Sequence, residues 1–136
     1  MIDPSLLNPL AILIAAVLSM MLGALWYSPL LFGQAWLAAT GKSEEDLGPS
    51  GPAMAGSMVS CLVAAIAMNL LAAAGGTATL PAGIGLGVVV GLGVVAMTML
   101  SDSLFSGWGW RLYFIQMGYR ATYLMIMGAI FGAWPS

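Results

Sequence analysis

The chain has 136 residues, 61% hydrophobic and only 6% charged, with a mean hydropathy of +1.01. A water-soluble domain carries charge on roughly a quarter of its residues, so this composition fits lipid as the solvent. The net charge of −2 comes without a basic patch and argues against a nucleic-acid partner, while a lone cysteine (Cys61) and no histidine leave no disulfide, zinc site or other cofactor to expect.

A membrane span takes about 20 apolar residues to cross about 30 Å of hydrocarbon. Four segments qualify, at about 8–27, 52–74, 81–101 and 111–134, and they form one integral membrane domain over 1–136. The N-terminus, Met1-Ile2-Asp3-Pro4, lacks the basic region of a signal peptide, and the first apolar run is too long for one. That run is therefore read as a retained span, starting at Asn8-Pro9 as cap and first position.

The first span leaves through Leu25-Trp26-Tyr27-Ser28-Pro29-Leu30-Leu31-Phe32-Gly33-Gln34-Ala35-Trp36. Pro29 lacks an N–H and its ring clashes with the preceding turn, so a helix ends or kinks there. Trp26, Tyr27 and Trp36 are amphipathic rings that favour the boundary between hydrocarbon and water. Ser28 as cap and Pro29 as first position predict a short interfacial helix.

A polar stretch, 40–51, follows with Lys42, Glu44, Glu45 and Asp46. Ser43-Glu44-Glu45-Asp46 has capping-box spacing and predicts one helical turn. Ser50-Gly51-Pro52 opens the second span, and Gly75-Gly76 ends it as a C-cap. The connection to the third span at Pro81 is short and uncharged, so spans two and three are expected as antiparallel neighbours. The fourth stops at Pro135.

Four spans put both termini on one side. Lys42 and Arg111 flank the loops on the other side, and the terminal side has no Lys or Arg. By the positive-inside rule loops 1–2 and 3–4 are cytoplasmic and the termini lie outside the cell (plasma or inner) membrane. Ser28-Pro29-Leu30-Leu31-Phe32-Gly33 also aligns with Ser101-Asp102-Ser103-Leu104-Phe105-Ser106. Each is followed by tryptophan, which reads as two parallel hairpin repeats or as chance likeness in a Leu- and Ser-rich chain.

Helices in lipid associate through close backbone approach and interhelical hydrogen bonds, which selects small residues at four-residue spacing. Such stripes run through Ala11, Ala15, Ser19 and Gly23; through Ser57, Cys61, Ala65, Asn69 and Ala73; and through Gly128 and Gly132. The most specific is the glycine zipper Gly83, Gly87 and Gly91, because glycine costs helix stability and needs a compensating contact. It packs the bundle itself or joins subunits. Asn69 reads as a helix-to-helix hydrogen bond.

Ionisable residues within a span are costly. Arg120 lies nine residues beyond Arg111, about 13 Å deeper, and Asp102 stands at the end of span three. Across a tight connection the two can approach as a neutralised pair, or Arg120 can snorkel to headgroups. Alternatively Arg120 faces a polar cavity as an anion or proton site, with Tyr119, Tyr123, Gln116 and Ser101 as hydrogen-bond partners. No nucleophile–base pair, phosphate loop or paired carboxylates at catalytic spacing appears, so an enzyme is not expected.

The run from Leu22 to Trp36, followed by Ser43-Glu44-Glu45-Asp46-Leu47, resembles a bacterial and fungal family of small membrane proteins named only as a domain of unknown function. Gly118-Tyr119-Arg120 and Ile126-Met127-Gly128-Ala129-Ile130-Phe131-Gly132 agree with it. The resemblance implies a compact bundle of four transmembrane helices and supplies no activity. Two function classes follow. One is a small transporter or pore, a homo-oligomer because four spans enclose little polar volume alone. It is similar in size to the small multidrug transporters but has no glutamate in span one. The other is a structural or regulatory membrane protein packed against a partner or membrane lipids.

Overall fold

The structure is a computed structural model describing residues 4–42 and 50–134, and all regular structure among them is helical. After a 3-10 turn at Pro4–Leu6, α1 (Pro9–Trp26) opens where expected. Asn8 Oδ1 accepts the Ala11 N–H at 3.2 Å, and Pro9 fills the first turn. Its other end differs from expectation. Ser28 Oγ donates backwards to the Leu25 carbonyl at 2.6 Å, so it caps nothing ahead of it. The Ser28 carbonyl accepts N–H groups from Leu31 and Gly33, which makes 28–32 a compact turn. The short helix, α2 (Gly33–Thr40), thus starts at Gly33 rather than Pro29 and ends at Gly41 with φ +74°. The helical turn expected at 43–46 lies outside the described residues.

Helix α3 (Ser50–Ala74) stops at Gly75-Gly76, where Gly76 takes φ +67°. Thr79 then caps α4 (Leu80–Val88), its Oγ1 accepting the Ala82 N–H at 3.3 Å. The rod continues through a π-helical segment, Val89–Val95, into α5 (Ala96–Ser106), five residues past the end expected at 101. Its inward positions are Gly83, Gly87, Gly91, Ala96 and Ser103. An α-helix would carry position 96 off that face; the wider i→i+5 turn returns it. Gly107 and Gly109, at φ +69° and +80°, turn the chain into α6 (Trp110–Ala133). The segments 28–33 and 101–106 are therefore unlike, one a turn and the other helix.

Helix α6 is the post around which the others stand. It packs against α1, α3 and the α4–α5 rod, while α3 and α4 make no substantial contact with each other. Expected as antiparallel neighbours, they pack on α6 instead of on each other; five connecting residues reach up to about 17 Å, which allows more than the 8–10 Å between packed helix axes.

The α4–α6 contact is made of backbone. A Cβ on Gly83 would collide with the Gly128 carbonyl, one on Gly87 would lie 2.5 Å from Met125 Cα, and one on Gly91 3.1 Å from Ala121 Cα. On the other side α1 and α3 meet through Ala11, Ala15, Ser19, Cys61 and Ala65, all buried. Asn69 ties their far ends: its Oδ1 accepts the Asn8 N–H at 2.8 Å and its Nδ2 donates to the Leu6 carbonyl at 3.4 Å.

Among the described residues, three helices are long and apolar enough to cross a membrane, Pro9–Trp26, Gly51–Ala74 and Leu80–Ser106, rather than the expected four. At 24 residues α6 spans about 36 Å, so length is not its shortfall. Arg111, Gln116, Arg120 and three tyrosines make it too polar, and it is the helix whose surroundings are mostly protein. The outer faces of the other three carry large exposed apolar side chains, among them Leu13, Val17, Met58, Val63, Val89 and Phe105. An aqueous monomer does not present apolar surface on this scale.

Candidate functional site

The turn after α1 folds its aromatic rings back over α6. Tyr27 Oη donates to Gln116 Oε1 at 2.5 Å, and Trp26 Nε1 donates to the Ile115 carbonyl at 3.0 Å. Trp26 also packs on Phe32, with ring centroids 4.8 Å apart. Two glycines make room. A Cβ at Gly118 would lie 3.0 Å from the Trp26 ring, and one at Gly23 would lie 2.8 Å from the Tyr119 hydroxyl. Gly33 has the same role for α2, since a Cβ there would meet the Tyr27 carbonyl at 2.5 Å. These contacts pin α2 against the start of α6.

Tyr119 stands at the centre. Its hydroxyl donates to the Ser19 carbonyl at 2.9 Å and lies 3.9 Å from Cys61 Sγ, which joins α6 to α1 and α3 together. Tyr27 and Tyr123 meet its ring edge-on at centroid distances of 5.6 and 5.0 Å. One helical step away is Arg120, half-buried, donating from Nη1 to the Gln116 carbonyl at 3.0 Å. Its charge also acts on the Tyr27 hydroxyl.

These residues line a groove of about 560 Å³ between α2, the N-terminal part of α3 and α6. Arg120, Gln116, Tyr27 and Tyr119 lie on one wall, Trp36, Leu37 and Gly33 on another, and Ala53, Met54 and Ser57 on the third. Trp36 Nε1 is buried without a hydrogen-bond partner among the described residues. A second groove of about 370 Å³ shares Tyr27, Met54, Ser57 and Tyr119 with the first. It continues between α1 and α3 along Met20, Gly23 and Ala24.

Of the residues expected at an intramembrane polar site, Gln116, Tyr119, Arg120 and Tyr123 come together. Ser101 and Asp102 do not join them. Both are exposed on α5, where Asp102 Oδ1 accepts from Ser106 Oγ at 3.5 Å. The antiparallel register explains this. Gly91 faces Ala121, so Asp102 lies about 15 Å further along the axis than Arg120. No ion pair links them, and Asp102 is the only carboxylate side chain among the described residues.

Sequence reasoning treated Trp26, Tyr27 and Trp36 as boundary anchors and missed Tyr27 and Trp36 as walls of this groove. The available signal was the spacing of Gln116, Tyr119, Arg120 and Tyr123, which puts four polar or aromatic side chains on one stripe of α6. Such a stripe needs partners, and the rings ending α1 are at the right level.

A family model described as "Protein of unknown function (DUF1761)" matches residues 10–132. The chain belongs to this family. The match runs from the start of α1 to the end of α6, so both the glycine contact and the Arg120 groove lie within the DUF1761 region. No curated protein and no solved structure matches the chain.

Proposed function

We propose that this chain is a multi-pass membrane protein in which α6 crosses beside the three apolar spans. On this reading it is a small homo-oligomeric transport protein that takes an anionic substrate at Arg120. One observation carries the proposal: a half-buried guanidinium, with no carboxylate partner among the described residues, opens onto a groove of about 560 Å³. A charge at that depth is costly unless it pairs or meets a polar cavity. Protein on three sides of α6 gives its polar stripe a place away from lipid. The short helix α2 lies at the interface, and the membrane is the plasma (or inner) membrane.

For orientation, Lys42 follows the end of α2 and Arg111 lies in the first turn of α6. The end of α1 meets that part of α6 through the Trp26–Ile115 hydrogen bond, and two basic residues there support a cytoplasmic location for that end. In spheroplasts of a Cys61→Ala background, Ala78→Cys is expected to react with an impermeant maleimide and Ala38→Cys to stay unlabelled. The opposite pattern inverts the topology.

Activity is tested with purified protein in liposomes, following uptake of chloride and of inorganic phosphate. Arg120→Gln is expected to abolish uptake while keeping the helical circular dichroism of the parent. A parent protein that moves neither ion, nor an anionic amphiphile between leaflets, overturns transport. It leaves the structural or regulatory reading, which the rigid backbone contact of α4 with α6 favours.

A further inference from the structure

We infer that the groove binds an amphiphile, with an anionic headgroup on Arg120 and an apolar tail lying in the slot between α1 and α3. The inference rests on the membrane placement and the anion site proposed above, and it specifies the class of molecule they serve.

Arg120 has five N–H donors; Nη1 donates to the Gln116 carbonyl and the guanidinium also hydrogen-bonds the Tyr27 hydroxyl, which leaves the other donors for a ligand. The remaining fork suits the planar, bidentate recognition of phosphate or carboxylate oxygens. Beside it, Tyr27 donates to Gln116 Oε1, which leaves the Gln116 amide nitrogen as another donor toward the groove. Trp36 Nε1 on the facing wall has no acceptor among the described residues. A buried donor without an acceptor is costly, and a ligand oxygen reached by a small shift of the indole would satisfy it. Donors therefore gather at one end, and no side-chain carboxylate among the described residues neutralises them.

The shape argues for more than a free ion. A groove of about 560 Å³ is the size that holds a whole organic ligand. It also shares Tyr27, Met54, Ser57 and Tyr119 with the second groove, where Met20, Ala24 and Met54 offer an apolar floor and no charge. That slot opens sideways, because residues 51–60 of α3 are exposed all round and no helix among the described residues covers them. A tail can thus enter from the bilayer while its headgroup stays at Arg120. An inorganic anion would use the donors and leave the slot unused; a zwitterionic lipid would fill the slot and bring a cation toward Arg120.

The test is ligand-dependent thermal stability of the detergent-purified protein, with three probes at matched concentration. They are dihexanoyl phosphatidic acid, dihexanoyl phosphatidylcholine and inorganic phosphate. A saturable rise in Tm is expected with the first alone. Arg120→Gln is expected to weaken it by about tenfold or more. Arg120→Lys keeps the charge but loses the fork, and falls between the two. Ala24→Phe fills the slot from an exposed position on α1, far from the glycine contact, and provides a variant whose folding does not depend on Arg120. It should lose the response to phosphatidic acid. Equal stabilisation by inorganic phosphate would reduce the site to a free-anion site and overturn the inference. Equal stabilisation by phosphatidylcholine, a full response in Ala24→Phe, or no response to any probe would overturn it as well. Binding without vesicle uptake would sink transport and spare this inference; uptake of simple anions with no amphiphile response would do the reverse.

Discussion

On one face of α6, Gly128 and Gly132 lie against Gly83 with little but backbone between them, whereas on another face Tyr119 and Arg120 reach into a groove. The first contact is centred on glycines and involves no charge. The second is built from long side chains that hydrogen-bond to carbonyls on other segments: Trp26 to Ile115, Tyr119 to Ser19. On the proposed membrane placement, helices gain nothing from hiding apolar surface, and close approach is what stabilises the first face. The second face keeps its helices apart far enough to leave a groove of about 560 Å³. One helix thus carries both a rigid attachment and an open site, and each is possible because the other takes a different part of its circumference.

The sharpest way to break this comparison is to add atoms to the glycine face. Gly87→Leu is expected to have the largest effect of any substitution considered, and Gly87→Ala a smaller but severe one, about 3 kcal/mol or more. The neighbours of a Cβ there are Met125 Cα and the Leu124 carbonyl, at 2.5 and 2.6 Å, and backbone has little freedom to yield. Gly85→Ala, two residues away, meets nothing within 4 Å and should be neutral or slightly stabilising, since alanine is the better helix former. Thermal unfolding and oligomer mass in mild detergent, measured together, check both. Because the contact is within the chain, stability should fall while the oligomeric state stays the same. Loss of subunits from a folded monomer would move this stripe to a subunit interface.

The groove face should respond more gently. Tyr119→Phe removes one hydrogen bond to the Ser19 carbonyl, and Trp26→Phe removes one to the Ile115 carbonyl. Each is expected to cost about 1 kcal/mol in the same unfolding assay. Gly23→Val should cost more than either, because its side chain would meet the Tyr119 hydroxyl and force that ring out of place. If Gly23→Val is as mild as Tyr119→Phe, the ring has room that the geometry denies it.

Much of the frame was legible because its signals are local. Asn8-Pro9 starts α1, Gly75-Gly76 ends α3, and the run from Trp26 to Pro29 ends the first span, each through the chemistry of two to four adjacent residues. The π segment was written less plainly: the interval from Gly91 to Ala96 breaks the four-residue stripe of small residues, and only a packed partner shows that both face inward. That α6 is the central post is not a local property at all. Its polar residues count against it as a span until one knows that protein surrounds it. The groove is harder still, since the Tyr119–Ser19 hydrogen bond joins residues 100 positions apart. The charge of Arg120 pointed to a site, but the nearest acid by chain connection, Asp102, pointed to the wrong partner.

That misdirection sets the smallest expected effect, which is none. Asp102 and Arg120 are the two opposite charges deepest in the sequence of the third and fourth helices, and a shared hairpin made a pair plausible. If they met, removing either alone would leave a buried charge at a cost of about 3–5 kcal/mol, and removing both would recover most of it. The register leaves them about 15 Å apart along the axis, with Asp102 exposed beside Ser106 and Arg120 bonded to the Gln116 carbonyl. A double-mutant cycle on Asp102→Asn and Arg120→Gln, read as unfolding free energy in detergent, should therefore be additive to within about 0.5 kcal/mol. Asp102→Asn alone should change little, since its carboxylate is exposed and its one recorded partner is a hydroxyl on its own helix. Recovery of more than about 1 kcal/mol in the double variant would mean the charges find each other. The Gly91–Ala121 register would then be wrong, and with it the guanidinium without a carboxylate partner on which the proposed ligand site depends.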